Sequence, residues 1–175
     1  MLFISVLTSC GGGNGGPEFV FVDGVETSTR DLLRDEEKFR SFFSDTTIKN
    51  WDRYHGTQVE YHSADGQTWL VYPGNTRSVR GRWKARTKNG RVQMCYLYGP
   101  RSYNPVTRKY GGKWECSSGL YNLLSDTVVD GDVLKLRGRG AYPQPLPKKI
   151  NISLNTIKKS VGLGELRAKN KKQPK

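Results

Sequence analysis

The stretch SVRGRWKARTKNGRVQMCYLY, residues 78–98, carries the strongest fold signal in the chain. Asn89 and Gly90 near its centre are the residue pair most typical of a two-residue β-hairpin loop, because both tolerate the positive φ that a type I′ turn requires. A loop of this length also fixes the register, so that the numbers of opposed residues add to 179. The stretch therefore predicts an antiparallel hairpin of two long strands.

The predicted register separates the hairpin into an apolar and a basic face. On the apolar face, Thr87 lies opposite Val92, Ala85 opposite Met94, Trp83 opposite Tyr96 and Gly81 opposite Tyr98. On the basic face, Lys88 lies opposite Arg91, Arg86 opposite Gln93, Lys84 opposite Cys95 and Arg82 opposite Leu97. Like charges placed opposite one another on a sheet are destabilising, so an anionic partner would relieve this face. The alternative is that these cations are simply solvated on an outer surface.

The charge of the whole chain is concentrated around this hairpin and at the C-terminus. The formal net charge is +13, residues 66–114 contain eleven cations and no acid, and residues 133–175 contain twelve cations and one acid, Glu165. Clustered charge creates a local potential that attracts anionic partners. The candidate residues for such a partner are Arg80, Arg82, Lys84, Arg86, Lys88, Arg91, Arg101, Arg108 and Lys109. Arg101, Arg108 and Lys109 lie in a polar loop, residues 99–112. The alternative is that this loop is an exposed segment that binds no partner.

The rest of the body predicts a helix followed by a β-meander. Ser28 or Thr29 can cap a helix whose apolar positions reach Phe43 at helical spacing. Residues 57–62 alternate as a strand, with Val59 and Tyr61 facing in and the polar residues Gln58, Glu60 and His62 facing out. Turns at residues 65–66 and 73–75 lead through a return strand, residues 67–72, to the hairpin. We therefore expect a mainly β fold, a small antiparallel meander or partly closed barrel with one N-terminal α-helix and a basic C-terminal tail.

The C-terminal part of the chain differs in composition from the body. Residues 142–147, YPQPLP, predict an extended, stiff segment. The basic tail that follows has Leu154, Ile157 and Val161 at helical spacing, which indicates a short helix formed on contact with a partner. A length of 175 residues suits a single core. We divide the chain into residues 1–9, a signal peptide remnant, residues 10–26, a tether, residues 27–138, the helix and β domain, and residues 139–175, the linker and tail.

The N-terminal segment resembles the start of a bacterial lipoprotein. Leu7-Thr8-Ser9-Cys10 is similar to a lipobox, and the Gly-rich residues 11–16 are similar to the tether that follows one. The resemblance implies that Cys10 is lipidated and that residues 1–9 are removed. Two departures are that no Lys or Arg precedes Cys10 and that the apolar run is short. A start codon upstream of Met1 would explain both, and the alternative is that residues 1–10 form a buried first strand.

The remaining two cysteines predict a disulfide. With Cys10 lipidated, Cys95 and Cys116 are an even pair suited to an oxidising compartment, and a bond between them would stabilise the fold by roughly 3 kcal/mol. The alternative is two separate buried thiols. The chain lacks Cys-x-x-Cys and has only two histidines. We therefore expect no metal and no cofactor.

A second resemblance lies in the body of the chain. The segments Gly81-Arg82-Trp83, Met94-Cys95-Tyr96 and Gly112-Lys113-Trp114-Glu115-Cys116 are similar to the Gly-x-Trp, Cys and Trp-x-Cys pattern of small envelope proteins of unknown function in alphaproteobacteria. The resemblance covers about a third of the chain. It implies an antiparallel β domain in the cell envelope and implies no chemistry.

Three classes of function follow from these observations. The first is a non-catalytic protein anchored by lipid on Cys10 to the periplasmic side of the bacterial outer membrane. Its basic hairpin face and tail would contact lipopolysaccharide phosphates, peptidoglycan carboxylates or an acidic protein. The alternative is a cytoplasmic nucleic-acid-binding protein that uses aromatic residues among Arg and Lys on a sheet. An enzyme is the third class, and we expect none, because His55, His62 and Asp65 form no recognisable catalytic motif.

Overall fold

The computed structural model describes residues 19–22, 25–139 and 145–166, with side chains from residue 27 onward. The predictions for Cys10 and residues 1–18, for residues 140–144 and for the basic end, residues 167–175, lie outside the described residues. The first elements are a hairpin of β1 (Phe19–Val22) and β2 (Val25–Ser28), followed by α1 (Thr29–Leu32) and α2 (Glu36–Phe43). The helical stretch expected after Ser28 is thus two short helices, capped by Ser28 and by Asp35.

The described chain contains eleven strands and four helices. Nine strands and two helices follow α2. The meander consists of β3 (Thr46–Asp52), β4 (Gly56–His62), β5 (Gln67–Val71), β6 (Val79–Lys88) and β7 (Arg91–Tyr98). A small hairpin of β8 (Tyr103–Asn104) and β9 (Lys109–Tyr110) precedes β10 (Glu115–Ser118). The chain continues through α3 (Gly119–Leu123), β11 (Thr127–Asp130) and α4 (Leu154–Ser160).

Seven of these strands form one antiparallel sheet that curls into a half-barrel. The order is β10-β7-β6-β5-β4-β3-β11, a meander whose last strand returns to pair with the first. Only residues 119–126 connect the two edge strands, and part of that connection is helical. Seven strands laid flat would be about 29 Å wide, which a partly helical segment of this length cannot span. The edges are therefore drawn together, and the predicted mainly β, partly closed fold is confirmed.

The hairpin that opened the sequence analysis has the predicted register. Strands β6 and β7 pair from Lys88 with Arg91 to Gly81 with Tyr98. Asn89 and Gly90 have φ values of 51° and 68°, as a type I′ turn requires. The predicted separation into two faces therefore holds along the whole hairpin.

The inner face of the half-barrel, which carries Trp83, Ala85 and Met94, is covered by the helices. Helix α2 packs Phe39, Phe42 and Phe43 into one buried cluster with these residues. Gly119 at the start of α3 makes this close approach possible, because a Cβ atom there would lie 2.7 Å from the Phe39 ring. The inner face is therefore a sealed apolar core on the side of β6 and β7 near the turn.

The outer face of the same sheet has two different halves. On β4 and β5, which we call the covered half, Val59, Tyr61, Trp69 and Val71 are buried. They pack under the C-terminal segment in a second cluster that includes Val129, Leu134, Leu136, Leu146, Leu154 and Ile157. On β6 and β7, which we call the bare half, the outward residues of β6 from Arg80 to Lys88 are exposed. The helical spacing of Leu154 and Ile157 does mark a helix, α4, and the surface that it contacts is the chain's own sheet.

The predicted disulfide is present between β7 and β10. Cys95 and Cys116 are directly opposed in the ladder, and their sulfur atoms are bonded. Cys95 is fully buried. The bond therefore ties the edge strand β10 to the bare half of the sheet.

Candidate functional site

All nine cations predicted to meet an anionic partner are exposed. Arg80, Arg82, Lys84, Arg86 and Lys88 alternate outward along β6, Arg91 begins β7, and Arg101, Arg108 and Lys109 lie in the loop that leads to β10. We call these nine residues the basic face. Within the part of the chain that the structure describes, none of them forms a salt bridge with a carboxylate. Six of the nine are grouped on one side of a single hairpin.

The contacts of the basic face are with neutral groups. The Lys84 Nζ atom lies 4.4 Å from the centroid of the Trp114 ring, a cation–π contact that leaves the charge in place. Arg86 Nε donates a hydrogen bond to Gln93 Oε1 at 3.1 Å. These contacts orient two side chains over the sheet without neutralising them, so the positive potential of the face remains available to a partner.

The loop between β7 and β10 adds exposed aromatic rings to the basic face. Tyr103 and Tyr110 lie opposite one another in the β8–β9 hairpin, with ring centroids 5.0 Å apart, and Tyr110 is 69% exposed. The base of the loop is fixed by a hydrogen bond from Gly112 N to Tyr98 O at 2.8 Å and by the disulfide beyond it. The loop is therefore a small, anchored projection with rings and cations on its surface.

A second group of polar residues lies on the inner face, next to the apolar core. Glu60 of β4 is only 7% exposed, and its Oε1 atom accepts hydrogen bonds from Thr68 Oγ1 at 2.6 Å and from the Tyr98 hydroxyl at 2.5 Å. Tyr98 belongs to β7, three strands away from β4, so the two side chains meet only because the sheet is curled. Gly81 allows the Tyr98 ring to cross β6, because a Cβ atom there would lie 2.7 Å from that ring.

His62 is the fully buried neighbour of Glu60 in this inner polar cluster. Its Nε2 atom lies 3.1 Å from the Tyr96 hydroxyl, which also accepts a hydrogen bond from Asn122 Nδ2 at 2.8 Å. The Nε2 atom is 3.7 Å from Glu60 Oε2. Among the described residues, none offers a hydrogen-bond partner to His62 Nδ1. Trp83, Tyr96 and Phe43 surround the imidazole ring.

The electrostatics of the inner polar cluster favour neutral phenols. Burial, followed by the negative charge of Glu60, raises the pKa of both Tyr96 and Tyr98 well above the ordinary value for tyrosine. Each hydroxyl therefore stays protonated at neutral pH, and that of Tyr98 donates its hydrogen bond to Glu60. The cluster holds acid–base groups, but those groups bind one another. Its contribution in this arrangement is to satisfy a buried carboxylate inside the half-barrel.

The sequence pattern of β4 did not predict the inner polar cluster, because alternation of apolar and polar residues is typical of a strand with one buried face. The expectation that Glu60 and His62 point to solvent is wrong, since both faces of this strand are covered, by the helices on one side and by the C-terminal segment on the other. The histidines considered for catalysis are not brought together. His55 precedes β4, where its Nδ1 atom lies 2.9 Å from the Tyr72 hydroxyl, and His62 ends the same strand.

Two features were not found among the described residues. No helix in the described segments is long and apolar enough to cross a bilayer. No group of three or more His, Cys, Asp or Glu side chains there is arranged to hold a metal ion.

Comparison with known proteins gives no relative from which a function could be transferred. No protein-family model, no curated protein sequence and no solved structure matches this chain.

Proposed function

We propose that this protein is a non-catalytic module that binds an anionic polymer of the cell envelope through its basic face. The observation that carries the proposal is the contrast within one sheet face. The described part of the C-terminal segment covers the half over β4 and β5, and no described residue covers the half over β6 and β7, which is lined by cations without a carboxylate partner among the described residues.

Physical chemistry supports a polymer with regularly spaced negative charges. Side chains on one face of a strand recur at every second residue, so the cations of β6 form a row with a repeat of about 7 Å. Each Lys or Arg close to an anionic surface contributes about 1 kcal/mol, and salt screens the interaction. Six such residues on one hairpin are enough for binding that is strong at low salt and weak at high salt.

The envelope part of the proposal rests on the sequence. Lipidation of Cys10 would hold the bare half beside lipopolysaccharide phosphates, peptidoglycan carboxylates or an acidic protein at the periplasmic side of the outer membrane. Metabolic labelling of cells with a palmitate analogue tests this step, with Cys10→Ser as the control. We expect label on the wild-type protein alone, and an unlabelled wild type would remove the anchor from the proposal.

Nucleic acid is a second candidate for the anionic polymer. The exposed pair of Tyr103 and Tyr110 beside Arg108 and Lys109 offers rings on which bases could stack, next to cations that could contact phosphates. Binding of this kind would place the protein in the cytoplasm and would require no lipid on Cys10.

A binding experiment with matched variants tests the basic face. The probes are purified peptidoglycan sacculi, vesicles containing lipopolysaccharide, and a single-stranded oligonucleotide, each at low and high salt. We expect Lys84→Gln with Arg86→Gln to weaken binding about 30-fold at low salt, because two cations are removed. The control, Arg30→Gln with Arg34→Gln, removes two exposed cations near α1 and should change binding little.

The outcomes separate the candidates. Salt-sensitive binding to sacculi or lipopolysaccharide that only the first pair of substitutions weakens supports the envelope proposal. Preferential binding of the oligonucleotide supports the nucleic-acid alternative. Equal effects of the two pairs, or no binding to any probe at low salt, would overturn the assignment of the basic face.

A further inference from the structure

A groove opens at the end of the basic face that adjoins the covered half. It has a volume of about 640 Å³, and its lining includes Asp65, Gln67, Arg80, Arg82, Leu97 and Pro100. A groove of this size accommodates a ligand of a few rings. It lies where the β4–β5 turn, the start of β6 and the end of β7 meet.

One wall of the groove is a fixed chain of polar side chains. Arg80 donates a hydrogen bond to Gln67 Oε1, and Gln67 Nε2 donates one to Asp65 Oδ2 at 3.0 Å. Arg137 from the C-terminal segment also donates to Asp65 Oδ2, at 3.0 Å, and the guanidinium groups of Arg80 and Arg137 both lie within 6 Å of the Trp69 ring. These contacts hold an amide and a carboxylate in defined positions, as a preorganised site requires.

Arg82 is different from the other charged residues of this groove. It is exposed between Gln67 and Leu97, its neighbours in the ladders on either side. No described residue forms a salt bridge or a side-chain hydrogen bond with its guanidinium group. The guanidinium is a planar, permanently charged fork that matches the two oxygens of a carboxylate. Arg82 is thus the cation in the groove that is available to an anionic group.

We propose that this groove binds an acidic saccharide unit, a uronic acid or a carboxylated amino sugar, within the anionic polymer of the proposed function. The ligand's carboxylate binds Arg82, and its ring hydroxyls bind Asp65 and Gln67. Leu97 and Pro100 contact the apolar face of the ring. The inference rests on the proposed function and makes it more specific, because it assigns one sugar unit of the polymer to a groove with defined polar groups.

Substitution of Asp65 distinguishes binding by net charge from binding through sugar hydroxyls, because the two predict opposite changes in affinity. If only net charge matters, Asp65→Asn removes a negative charge from the groove and binding becomes tighter. If Asp65 accepts hydrogen bonds from sugar hydroxyls, the same substitution weakens binding, because an amide offers one acceptor oxygen in place of two. Asp65 is an exposed side chain, so the substitution preserves the core, and the contacts that it weakens within the protein include those with Arg137 and Ser63.

The experiment is calorimetric titration of the full chain at low salt with three probes. They are tri-galacturonate, its methyl ester, and a blocked tri-glutamate peptide with the same three carboxylates and no hydroxyls. We expect tri-galacturonate to bind at least about tenfold more tightly than either of the others. Arg82→Gln should weaken binding of tri-galacturonate at least about tenfold, and Arg34→Gln, which removes the same charge from an exposed position near α1 outside the basic face, by less than about threefold.

Each result decides the inference. Tighter or unchanged binding by Asp65→Asn, equal affinity for tri-glutamate, or equal effects of Arg82→Gln and Arg34→Gln would overturn the saccharide groove. Those results would leave the proposed function intact, since binding to sacculi and vesicles tests it separately. If Asp65→Asn does not fold, as judged by its thermal unfolding, the comparison of tri-galacturonate with tri-glutamate on the wild-type chain still decides.

Discussion

The covered and bare halves of the outer face are stabilised in different ways. Over β4 and β5 the sheet is held by buried apolar side chains from a segment more than 60 residues away in sequence, such as Leu154 and Ile157. Over β6 and β7 the outward residues are the cations of β6 together with Arg91, Gln93, Cys95 and Leu97 of β7, and a disulfide joins β7 to the edge strand β10. The comparison shows that one continuous sheet face can be a core on one side and an exposed, positively charged surface on the other.

The largest loss of stability should come from removing a buried side chain of the covered half. Ile157→Ala removes a side chain that is 99% buried in the second cluster, and such truncations cost about 2–5 kcal/mol of the free energy of unfolding. The matched control is Ile150→Ala, which truncates a residue that is 60% exposed in the same segment. Urea-induced unfolding measures both. Similar losses for the two variants would mean that the segment does not form the core of the covered half.

Removal of the disulfide should have the next largest effect on stability, because this bond joins β10 to the bare half. Replacing Cys95 and Cys116 together by alanine should lower the free energy of unfolding by about 3 kcal/mol, since the bond closes a loop with a sequence separation of 21. Reduction of the wild-type protein provides the control, because it breaks the same crosslink without substitution. If neither treatment moves the urea midpoint, the bare half does not depend on this bond.

A tyrosine of the covered half gives a smaller and pH-dependent effect. Burial, followed by the hydrogen bond to Asp45 at 2.6 Å, raises the pKa of Tyr61 above its ordinary value. A raised pKa means that this contribution to stability is complete below about pH 10 and is lost as the pH rises further. Tyr61→Phe should cost about 1 kcal/mol at pH 7 and should reduce the loss between pH 9 and 11. Urea unfolding at several pH values measures both, and an unchanged alkaline slope would contradict the assignment.

The smallest expected effect on stability belongs to the basic face. Lys84→Gln with Arg86→Gln should change the free energy of unfolding by no more than about 0.5 kcal/mol, because both side chains are exposed and neither is paired with a carboxylate. At low salt the change should be favourable, since repulsion along the strand decreases. A loss above about 1 kcal/mol would show that these side chains stabilise the fold rather than form a free surface.

The features that sequence predicted are local ones. Asn89 and Gly90 set the register of β6 and β7, and this register in turn fixed which cations share a face. The pairing of Cys95 with Cys116 was also predicted, from cysteine parity. Each of these depends on residue types whose backbone or covalent chemistry allows few alternatives.

The features that sequence missed depend on residues far apart in the chain. Nothing near Glu60 indicates that Tyr98, 38 residues later, will donate to its carboxylate, because that contact requires the sheet to curl. The alternation of β4 was correct as a strand pattern but did not reveal that α2 and α4 would cover its two faces. Polar alternation on a strand therefore identifies a second face, and only tertiary packing decides whether water or protein lies on it.

The pairing of β11 with β3 has a consequence for synthesis of the chain on the ribosome. Strand β3, the first strand of the large sheet, cannot pair with β11 until residue 130 has emerged from the ribosome. The apolar core of the covered half cannot form until α4, which ends at Ser160, has emerged. Contacts with such long sequence separation are slow to form. During that interval, a nascent polypeptide would present β3 as an unprotected edge, open to pairing with a neighbouring chain.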